Sequence, residues 1–539
     1  MSLSPQVDIP ALFKALGAAS EEDRARPALS FYKGKTRVER VSYADLLART
    51  AVVASHLKAS LGIARGDRLA IVSPNRMEVP ILVLAAMRLG ATVVPLNPAA
   101  PAEDWEYILH HSGARALFAT AELRQRLPPE LRAGTFARGI EDLGGVRGEV
   151  GVLGDLGTLA RETAVILYTS GTTGTPKGVA LSQSSLLANA WSMAENFGLR
   201  GDPQLAVLPL YHAHAFGFGL MTALTTWGHL VFTDGLDPFA WSDVIREEQV
   251  TVTSVVPTLL ALLLKTRAKQ ERVPSLRSIL VSSAPLTVDL ARRFEAESGI
   301  PLVLGWGLSE YTNFACCMSP HGDPAERRAL LIEGDVPSIG SPLEGTEVVV
   351  RDAEGTTLGP DARGELWIRG HSTMLSYYRD PETTARAVDA GGWLRTGDEG
   401  FFTNRGGNRL FFITGRLKEL IIRGGEKLSP IAIEQRILGA IPELQGQLAI
   451  LGFAHESLGE EIGAYLELAS LSRELRVKLD GVLSALPADQ APKVVVYGAP
   501  HIPRTHTGKV QRMKLRPVFS SFSACRGPAL FVDAADLDT

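Results

Sequence analysis

The chain has 539 residues, of which 45% are hydrophobic and 21% are charged, and its formal net charge is −4. This length exceeds one ordinary hydrophobic core, so we expect two or three domains, and the charge balance argues against a basic surface for nucleic acid. The three cysteines form neither a C-x-x-C pair nor a metal-ligand cluster, which is typical of a reducing compartment. The first residues lack a signal-peptide pattern, and the most apolar region, 79–94, is too short to span a bilayer. We therefore expect a cytoplasmic protein without a transmembrane segment.

Strand-like and helix-like patterns alternate through the first 150 residues and again from residue 205 to residue 304. This alternation predicts an α/β fold in which helices cover parallel sheets. The predicted strands are 67–72, 91–94, 116–119, 205–208, 230–232, 250–256, 278–281 and 301–304, and the predicted helices are 79–89, 102–111, 216–226, 238–248, 258–267 and 288–297. Short alternating strands at 347–351 and 364–369 predict a small β-rich subdomain.

A charged strip from Arg416 to Arg423, followed by two glycines, predicts a domain boundary. Strand patterns at 447–453, 462–468 and 494–497 follow it, which is enough for a compact α+β domain. We therefore predict a large N-terminal domain of residues 1–415 and a small, mobile C-terminal domain of residues 416–517. The tail, residues 518–539, shows no clear partner element, and we expect it to be disordered.

The stretch from Tyr168 to Gly178 reads Tyr-Thr-Ser-Gly-Thr-Thr-Gly-Thr-Pro-Lys-Gly and lies between two apolar runs. Glycines let backbone N–H groups approach an anion, hydroxyls add donors and Lys177 adds a positive charge, so the stretch predicts a phosphate-binding loop. It is not the Walker pattern, because Pro176 precedes the lysine and Gly178 follows it. The flanks predict strand–loop–strand, with a helix beginning after Ser182 as its N-cap. A polar hairpin turn without a ligand is the alternative.

The loop resembles the signature phosphate loop of the adenylate-forming (AMP-binding) superfamily, which includes acyl-CoA synthetases, luciferases and peptide-synthetase adenylation domains. The resemblance implies that the loop binds the phosphates of ATP and that Thr169 also takes part in catalysis. The implied phosphate-binding residues are Thr169, Ser170, Gly171, Thr172, Thr173, Gly174 and Lys177.

Two stretches at predicted strand ends are similar to further nucleotide-binding motifs of this superfamily. Ser282-Ser-Ala-Pro-Leu286 resembles the turn beside the adenine, with serines where the superfamily usually has glycines. Gly305-Trp-Gly-Leu-Ser-Glu-Tyr311 resembles G-Y-G-x-T-E; its tryptophan replaces tyrosine and is expected to stack on the purine. Glu310 is expected to bind Mg²⁺ and to act in catalysis. The other nucleotide contacts implied by the two motifs are Ser283, Ala284, Pro285, Gly305, Trp306, Gly307 and Ser309.

Three later stretches resemble the ribose motif, the hinge and the lysine loop of the superfamily. Arg395-Thr-Gly-Asp398 implies that Asp398 accepts hydrogen bonds from both ribose hydroxyls. Gly415 to Pro430 resembles the hinge and the opening of the C-terminal domain. Here Arg416 would reach ribose or phosphate, Lys418 would absorb the backbone rotation, and Gly424 and Gly425 would swing towards CoA. Pro503-Arg-Thr-His-Thr-Gly-Lys509 implies a catalytic lysine, Lys509, that enters the active site and contacts the nucleotide.

Two histidines and two aromatic residues cluster in the stretch from Leu208 to Gly217, after a predicted strand. No carboxylate stands near them to complete a metal site, and a structural role is the alternative for each histidine. By resemblance this motif lines the acyl pocket, with His212 also catalytic. The predicted pocket residues are His212, His214, Phe216, Gly305 and Tyr311, with Phe218 and Phe314 adding to an apolar wall.

The resemblance, which covers nearly the whole chain up to about Pro517, implies an acid–thiol ligase of the acyl-CoA synthetase type. Such an enzyme uses ATP and Mg²⁺ to convert a carboxylic acid into an acyl-adenylate and then transfers the acyl group to CoA. The alternatives are a stand-alone acyl-AMP ligase that loads an acyl carrier protein and a catalytically inactive nucleotide-binding module. Gly424-Gly-Glu-Lys-Leu-Ser-Pro430 resembles a CoA-ligase segment and favours the first reading. We expect a monomer or homodimer that binds no nucleic acid; chain length and aromaticity of the acid stay open.

Overall fold

A computed structural model describes residues 8–132, 136–146, 158–169, 176–266, 273–334, 336–498, 501–505 and 509–537. Within these residues the strands form three sheets with helices packed against them. The helices are Ile9–Gly17, Glu21–Ala25, Tyr43–Leu61, Glu78–Arg88, Ala102–Ser112, Ala121–Gln125, Pro129–Arg132, Gln183–Phe197, Thr222–Thr226, Trp241–Glu248, Pro257–Lys265, Val288–Ser298, Pro324–Ile332, Pro381–Ala387, Pro430–Ala440 and Arg473–Ala485. This architecture confirms the predicted α/β fold.

The first sheet carries the strands on both sides of the phosphate loop. In spatial order the described strands are Ser376–Tyr377, Lys177–Ser182, Thr163–Thr169, Thr92–Leu96, Arg68–Val72, Ala116–Ala119 and Ala137–Gly139. The pairs from Thr163–Thr169 to Ala137–Gly139 are parallel, as predicted, whereas the strands that flank the loop are antiparallel. The strand–loop–strand prediction is therefore confirmed.

The second sheet is the longest and continues from a parallel part into an antiparallel part. In spatial order its described strands are Thr346–Arg351, Gly364–Gly370, Leu394–Arg405, Asn408–Arg416, Ser338–Pro342, Cys316–Cys317, Leu302–Trp306, Ser278–Val281, Val252–Val255, Pro203–Ala206, His229–Thr233, Pro27–Lys33 and Thr36–Ser42. The strands at 346–351 and 364–370, predicted as a small β-rich subdomain, form an antiparallel pair at one end of this sheet. Cys316 and Cys317 are buried free thiols.

Local sequence signals account for several helix boundaries. Ser182 caps the helix Gln183–Phe197 in a capping box with Ser185, as the N-cap prediction required. The helix Trp241–Glu248 begins later than predicted, because Asp237 instead accepts the N–H of Phe239 in the preceding turn. The predicted helix 216–226 begins as a π-helix, Ala215–Met221, and continues as an α-helix to Thr226.

The third sheet follows the predicted boundary and contains part of the tail. Its described strands run Glu426–Leu428, Ile421–Arg423, Gly459–Leu466, Val494–Tyr497 and Leu530–Asp533 in spatial order, and Leu448–His455 also pairs with Gly459–Leu466. The last strand, Leu530–Asp533, pairs in parallel with Val494–Tyr497. The expectation that the tail has no partner element is therefore wrong: its apolar residues complete the edge of this sheet.

Candidate active site

Two strands hold the ends of the predicted phosphate loop, whose residues Ser170, Gly171, Thr172, Thr173 and Gly174 lie outside the described residues. Thr169 and Lys177, the last and first residues of the flanking strands, are paired directly across the ladder. The ammonium of Lys177 lies 5.5 Å from the ring centroid of Tyr377, within the range of a cation–π interaction. The lysine is thus held beside Tyr377 at the start of the strand that follows the loop.

Glu310, the predicted Mg²⁺ ligand, is half-buried and is oriented by a tyrosine that the sequence analysis did not single out. The hydroxyl of Tyr377 donates to Glu310 Oε1 at 2.8 Å. Burial and the negative charge of Glu310 raise the pKa of Tyr377 far above its ordinary value, so the hydroxyl remains a donor at neutral pH. Tyr377 lies in a two-residue strand beside the loop strand, 67 residues away from Glu310 in sequence, and no local pattern indicated this contact.

The G-W-G-L-S-E stretch leaves the strand Leu302–Trp306 and turns sharply towards Glu310. A side chain at Gly307 would place its Cβ 1.8 Å from the carbonyl oxygen of Asn313, so only glycine fits there. Gly305 is buried against Phe314, and Ser309 is half-buried in the following 3₁₀ turn. The backbone of this motif is therefore fixed by its contacts with residues 313 and 314.

Asp398, the predicted ribose ligand, is buried between a tryptophan and an arginine. Its Oδ2 accepts the indole N–H of Trp306 at 2.9 Å, and its Oδ1 lies 2.6 Å from Nε of Arg416. Asp398 and Arg416 are register partners on adjacent antiparallel strands, which places the two side chains together. The structure thus brings together three of the predicted nucleotide-binding residues, and it engages the Trp306 N–H in a bond that was not predicted.

The predicted adenine turn contributes two hydroxyls to a buried histidine. His214 Nδ1 lies 2.9 Å from Oγ of Ser282 and 3.2 Å from Oγ of Ser283. Ser283 has a φ of +71°, the left-handed region that favours glycine, which explains why the superfamily usually has glycine here. Ala284 is half-buried and Pro285 is exposed. Burial lowers the pKa of His214 to about 3, so the imidazole is neutral at neutral pH.

Three of the predicted acyl-side residues, His214, Phe218 and Gly305, lie against Phe314. His214 packs edge-on against Phe314, with ring centroids 5.3 Å apart. Phe216, two residues further along the chain, is buried in the π-helix Ala215–Met221. His212 keeps accessible surface. Tyr311, also in the predicted set, is fully buried, and its hydroxyl donates to Thr346 Oγ1 at 2.9 Å. This tyrosine packs the antiparallel part of the second sheet and offers no surface to a substrate.

The lysine loop of the C-terminal region approaches the nucleotide-binding residues. Lys509 is exposed to solvent, yet it lies in the electrostatic field of Arg416, Asp398 and Glu310. Desolvation by the surrounding protein, with a smaller contribution from Arg416, lowers the pKa of Lys509 below its ordinary value. Within the part of the chain that the structure describes, its ammonium forms no ion pair, so its charge is available to a ligand.

The predicted hinge lies between the second and third sheets. Lys418 is exposed in a turn in which the N–H groups of Glu419 and Leu420 donate to the Arg416 carbonyl. Gly424 and Gly425 form the exposed tip of a hairpin, with φ values of +59° and +90°. Arg512, which the sequence analysis missed, is buried and binds Glu419 Oε2 at 2.8 Å. It therefore connects the 3₁₀ segment after the lysine loop to the residue that follows Lys418.

Comparison with known proteins identifies the class of protein that this fold and site define. The profile of the family described as "AMP-binding enzyme" matches residues 17–378. The chain therefore belongs to the AMP-binding enzyme family, which confirms the predicted superfamily. Across the described residues no helix combines the length and apolar character needed to cross a membrane.

Individual relatives are similar over most of their length. The chain is 33% identical to the sulfoacetate–CoA ligase of Cupriavidus necator, over 85% of this chain and 88% of that protein. It is 31% identical to the oxalate–CoA ligase of Arabidopsis thaliana, over 90% of this chain and 94% of that protein. Among solved structures, ATP-bound MatB from Rhodopseudomonas palustris superposes with a TM-score of 0.82 at 27% identity, over 96% of this chain and all of that chain.

Proposed function

We propose that the protein is an ATP-dependent acid–thiol ligase that converts a carboxylic acid into acyl-AMP and then into acyl-CoA. The family match and the CoA ligases among its relatives confirm this predicted class of reaction and the use of ATP and CoA. One observation carries the assignment of the site. Asp398 and Arg416, paired on adjacent strands, and Glu310, in the turn after Leu302–Trp306, all lie close enough to Lys509 for their charges to act on its ammonium.

In the first step, an oxygen of the substrate carboxylate attacks the α-phosphorus of ATP, and the bond from that phosphorus to the bridging oxygen of pyrophosphate breaks. Two anions must approach each other, so the role of the protein is electrostatic and positional. Lys177 and Lys509 neutralise phosphate oxygens, and Thr169 with the rest of the loop donates to them. Asp398 and Arg416 hold the ribose, and the adenine turn with Trp306 holds the base. No general base is required, because the attacking carboxylate is already ionised.

The residues around Glu310 fit a magnesium ion. Its carboxylate supplies a hard oxygen, one oxygen is oriented by Tyr377, and Mg²⁺ commonly takes one or two protein carboxylates with water and phosphate oxygens as its other ligands. When bound, the ion would neutralise charge on the phosphates. Within the described residues there is no cluster of three or more His, Cys, Asp or Glu side chains that could hold a metal by protein ligands alone.

In the second step, the thiol of CoA gives up its proton to solvent and its sulfur attacks the acyl carbonyl carbon, and AMP leaves with the electron pair of the broken acyl–phosphate bond. His212 lies on the proposed acyl side of this site. A rotation at Lys418 would withdraw Lys509 and bring Gly424 and Gly425 towards the thiol, so that one cleft serves both steps. This proposal is supported by the position of Lys418 between the second and third sheets, and it divides the chain near residue 416, with the tail strand now part of the C-terminal unit.

The decisive experiment measures pyrophosphate release from ATP across a panel of carboxylic acids, with and without CoA, and identifies the products by mass spectrometry. The panel includes sulfoacetate and oxalate, the acids after which two relatives are named, together with aliphatic and aromatic acids. An acyl-CoA product supports the proposal and defines the acid. Accumulation of acyl-AMP without discharge to CoA would contradict CoA as the acceptor and would direct the search to a carrier protein.

A cytoplasmic location, where ATP and CoA are both available, is part of this proposal and is consistent with three free cysteines among the described residues.

A further inference from the structure

The carboxylate of Asp398 has four lone-pair sites, and two of them are already occupied by protein donors. Trp306 Nε1–H donates to Oδ2 at 2.9 Å, and the Arg416 guanidinium covers Oδ1 in an ion pair, with its Nε 2.6 Å from that oxygen. An ionised carboxylate accepts about two hydrogen bonds per oxygen, so one site remains on each oxygen. Two remaining acceptors on one carboxylate match the two neighbouring hydroxyls of a ribose.

Backbone hydrogen bonds hold both Trp306 and Asp398 in the positions from which the indole N–H donates to the carboxylate. The Trp306 carbonyl accepts the N–H of Ala315 at 2.9 Å, and Trp306 pairs with Cys316 across the strand ladder. Asp398 is fixed from its own side, because its N–H donates to Thr396 Oγ1, which in turn donates to the Leu366 carbonyl. The indole N–H is only a donor, so it cannot compete with the carboxylate for a ribose hydroxyl proton.

We propose that Trp306 is a positioning residue for ribose binding: its indole N–H, together with Arg416, fixes the rotation of the Asp398 carboxylate and leaves one acceptor on each oxygen for the 2′- and 3′-hydroxyls. This inference rests on the proposed function of Asp398. It goes beyond the expected stacking of Trp306 on the purine, because the ring face and the ring N–H are different parts of the side chain. A tyrosine at this position carries its hydroxyl at the tip of the ring and has no donor at the place of the indole N–H.

The test measures equilibrium binding of ATP, 2′-deoxy-ATP and 3′-deoxy-ATP by calorimetry, with Mg²⁺ and without acid or CoA, so that the unidentified acid is not needed. The variants are Trp306→Phe, which removes the N–H and keeps an aromatic face, and Asp398→Ala, which removes the acceptor. Trp306→Tyr is a second variant at the same position in case the phenylalanine protein does not fold. The matched control is Trp241→Phe, because Trp241 is a buried tryptophan whose indole nitrogen has no hydrogen-bond partner among the described residues.

Trp306→Phe is expected to weaken ATP binding about tenfold, since hydrogen bonds to charged groups are among the stronger ones in proteins. The decisive result is the coupling: the preference for ATP over each deoxynucleotide falls in Trp306→Phe towards the level of Asp398→Ala, and Trp241→Phe keeps the wild-type preference. Equal weakening of all three nucleotides would mean that Trp306 acts through the base and would overturn the inference. If Trp306→Phe keeps the wild-type preference for ATP while Asp398→Ala loses it, the inference about Trp306 is overturned. The proposed function of Asp398 is then unaffected. Full discrimination by Asp398→Ala would refute the ribose role itself.

Discussion

Arg512, three residues beyond the lysine loop, forms a buried ion cluster with the segment after the proposed hinge. Its Nη1 donates to Glu419 at 2.8 Å, its Nη2 donates to both oxygens of Glu434 at 2.8 and 2.9 Å, and its Nε donates to the Ile450 carbonyl at 2.9 Å. Replacement of Arg512 by methionine keeps much of the side-chain volume and leaves two carboxylates without their counter-ion. We therefore expect a large loss of stability in the C-terminal unit.

The size of this loss follows from burial. Removal of one partner from a buried ion pair costs about 3–5 kcal/mol. The Glu434 and Glu419 side chains keep 13% and 23% of their surface exposed, so water compensates part of this cost. We expect the free energy of unfolding to fall by about 2–4 kcal/mol, which for a unit of roughly 100 residues lowers its transition temperature by at least about 8 °C.

Differential scanning calorimetry of the full chain, without ligands, measures this change. The matched control is Lys478→Met, in the same part of the chain. Lys478 also contacts two carboxylates, Glu443 and Glu474, each at 3.3 Å, but all three side chains are at least half exposed. Exposed ion pairs contribute little, so the control should leave the transition temperature almost unchanged. Equal small shifts for Arg512→Met and Lys478→Met would refute the reasoning from burial.

Three further outcomes are expected. Lys509→Ala should lower the rate of acyl-adenylate formation at least about 100-fold, the size of effect seen when one electrostatic donor is removed from a transition state. Thioester formation from supplied acyl-adenylate should be spared. Equal loss of both steps would contradict the assigned role. Tyr377→Phe should lower kcat/KM for ATP about tenfold, because Glu310 loses a hydrogen bond to its charged group, and an unchanged value measured over a range of Mg²⁺ concentrations would argue against this positioning. Burial lowers the pKa of His214 to about 3 and that of His229 to about 4. Both values lie below the unfolded value of about 6.5, so the unfolded state binds more protons and stability should fall, by about 1.4 kcal/mol per pH unit for each histidine, as the pH drops from about 6.5 towards 4. Urea midpoints between pH 7 and 5 check this sign, and His229→Gln should have a shallower pH dependence than the wild type.

Much of the fold could be predicted from local patterns. Apolar runs of strand length alternating with amphipathic segments predicted the parallel strands, because burial on both faces leaves a distinct composition in the chain. Ser182 marked a helix start through a side-chain oxygen that acts within one turn of the backbone. The tail was misjudged for the same reason: the strand Leu530–Asp533 is stabilised by its partner at Val494–Tyr497, and its own sequence carries little signal.

The sequence by itself therefore determined the family, the order of the motifs and the residue types available for phosphate, ribose and metal binding. Only the tertiary structure decided which of these side chains meet. The Trp306–Asp398 bond joins residues 92 positions apart, and the Tyr377–Glu310 bond joins residues 67 positions apart. The first depends on strand register, since a shift of one residue would turn Trp306 or Asp398 to the opposite face of the sheet. The second depends on where the strand Ser376–Tyr377 meets the 3₁₀ turn that holds Glu310. Register is fixed by the packing of the whole core, and no short stretch of sequence contains it.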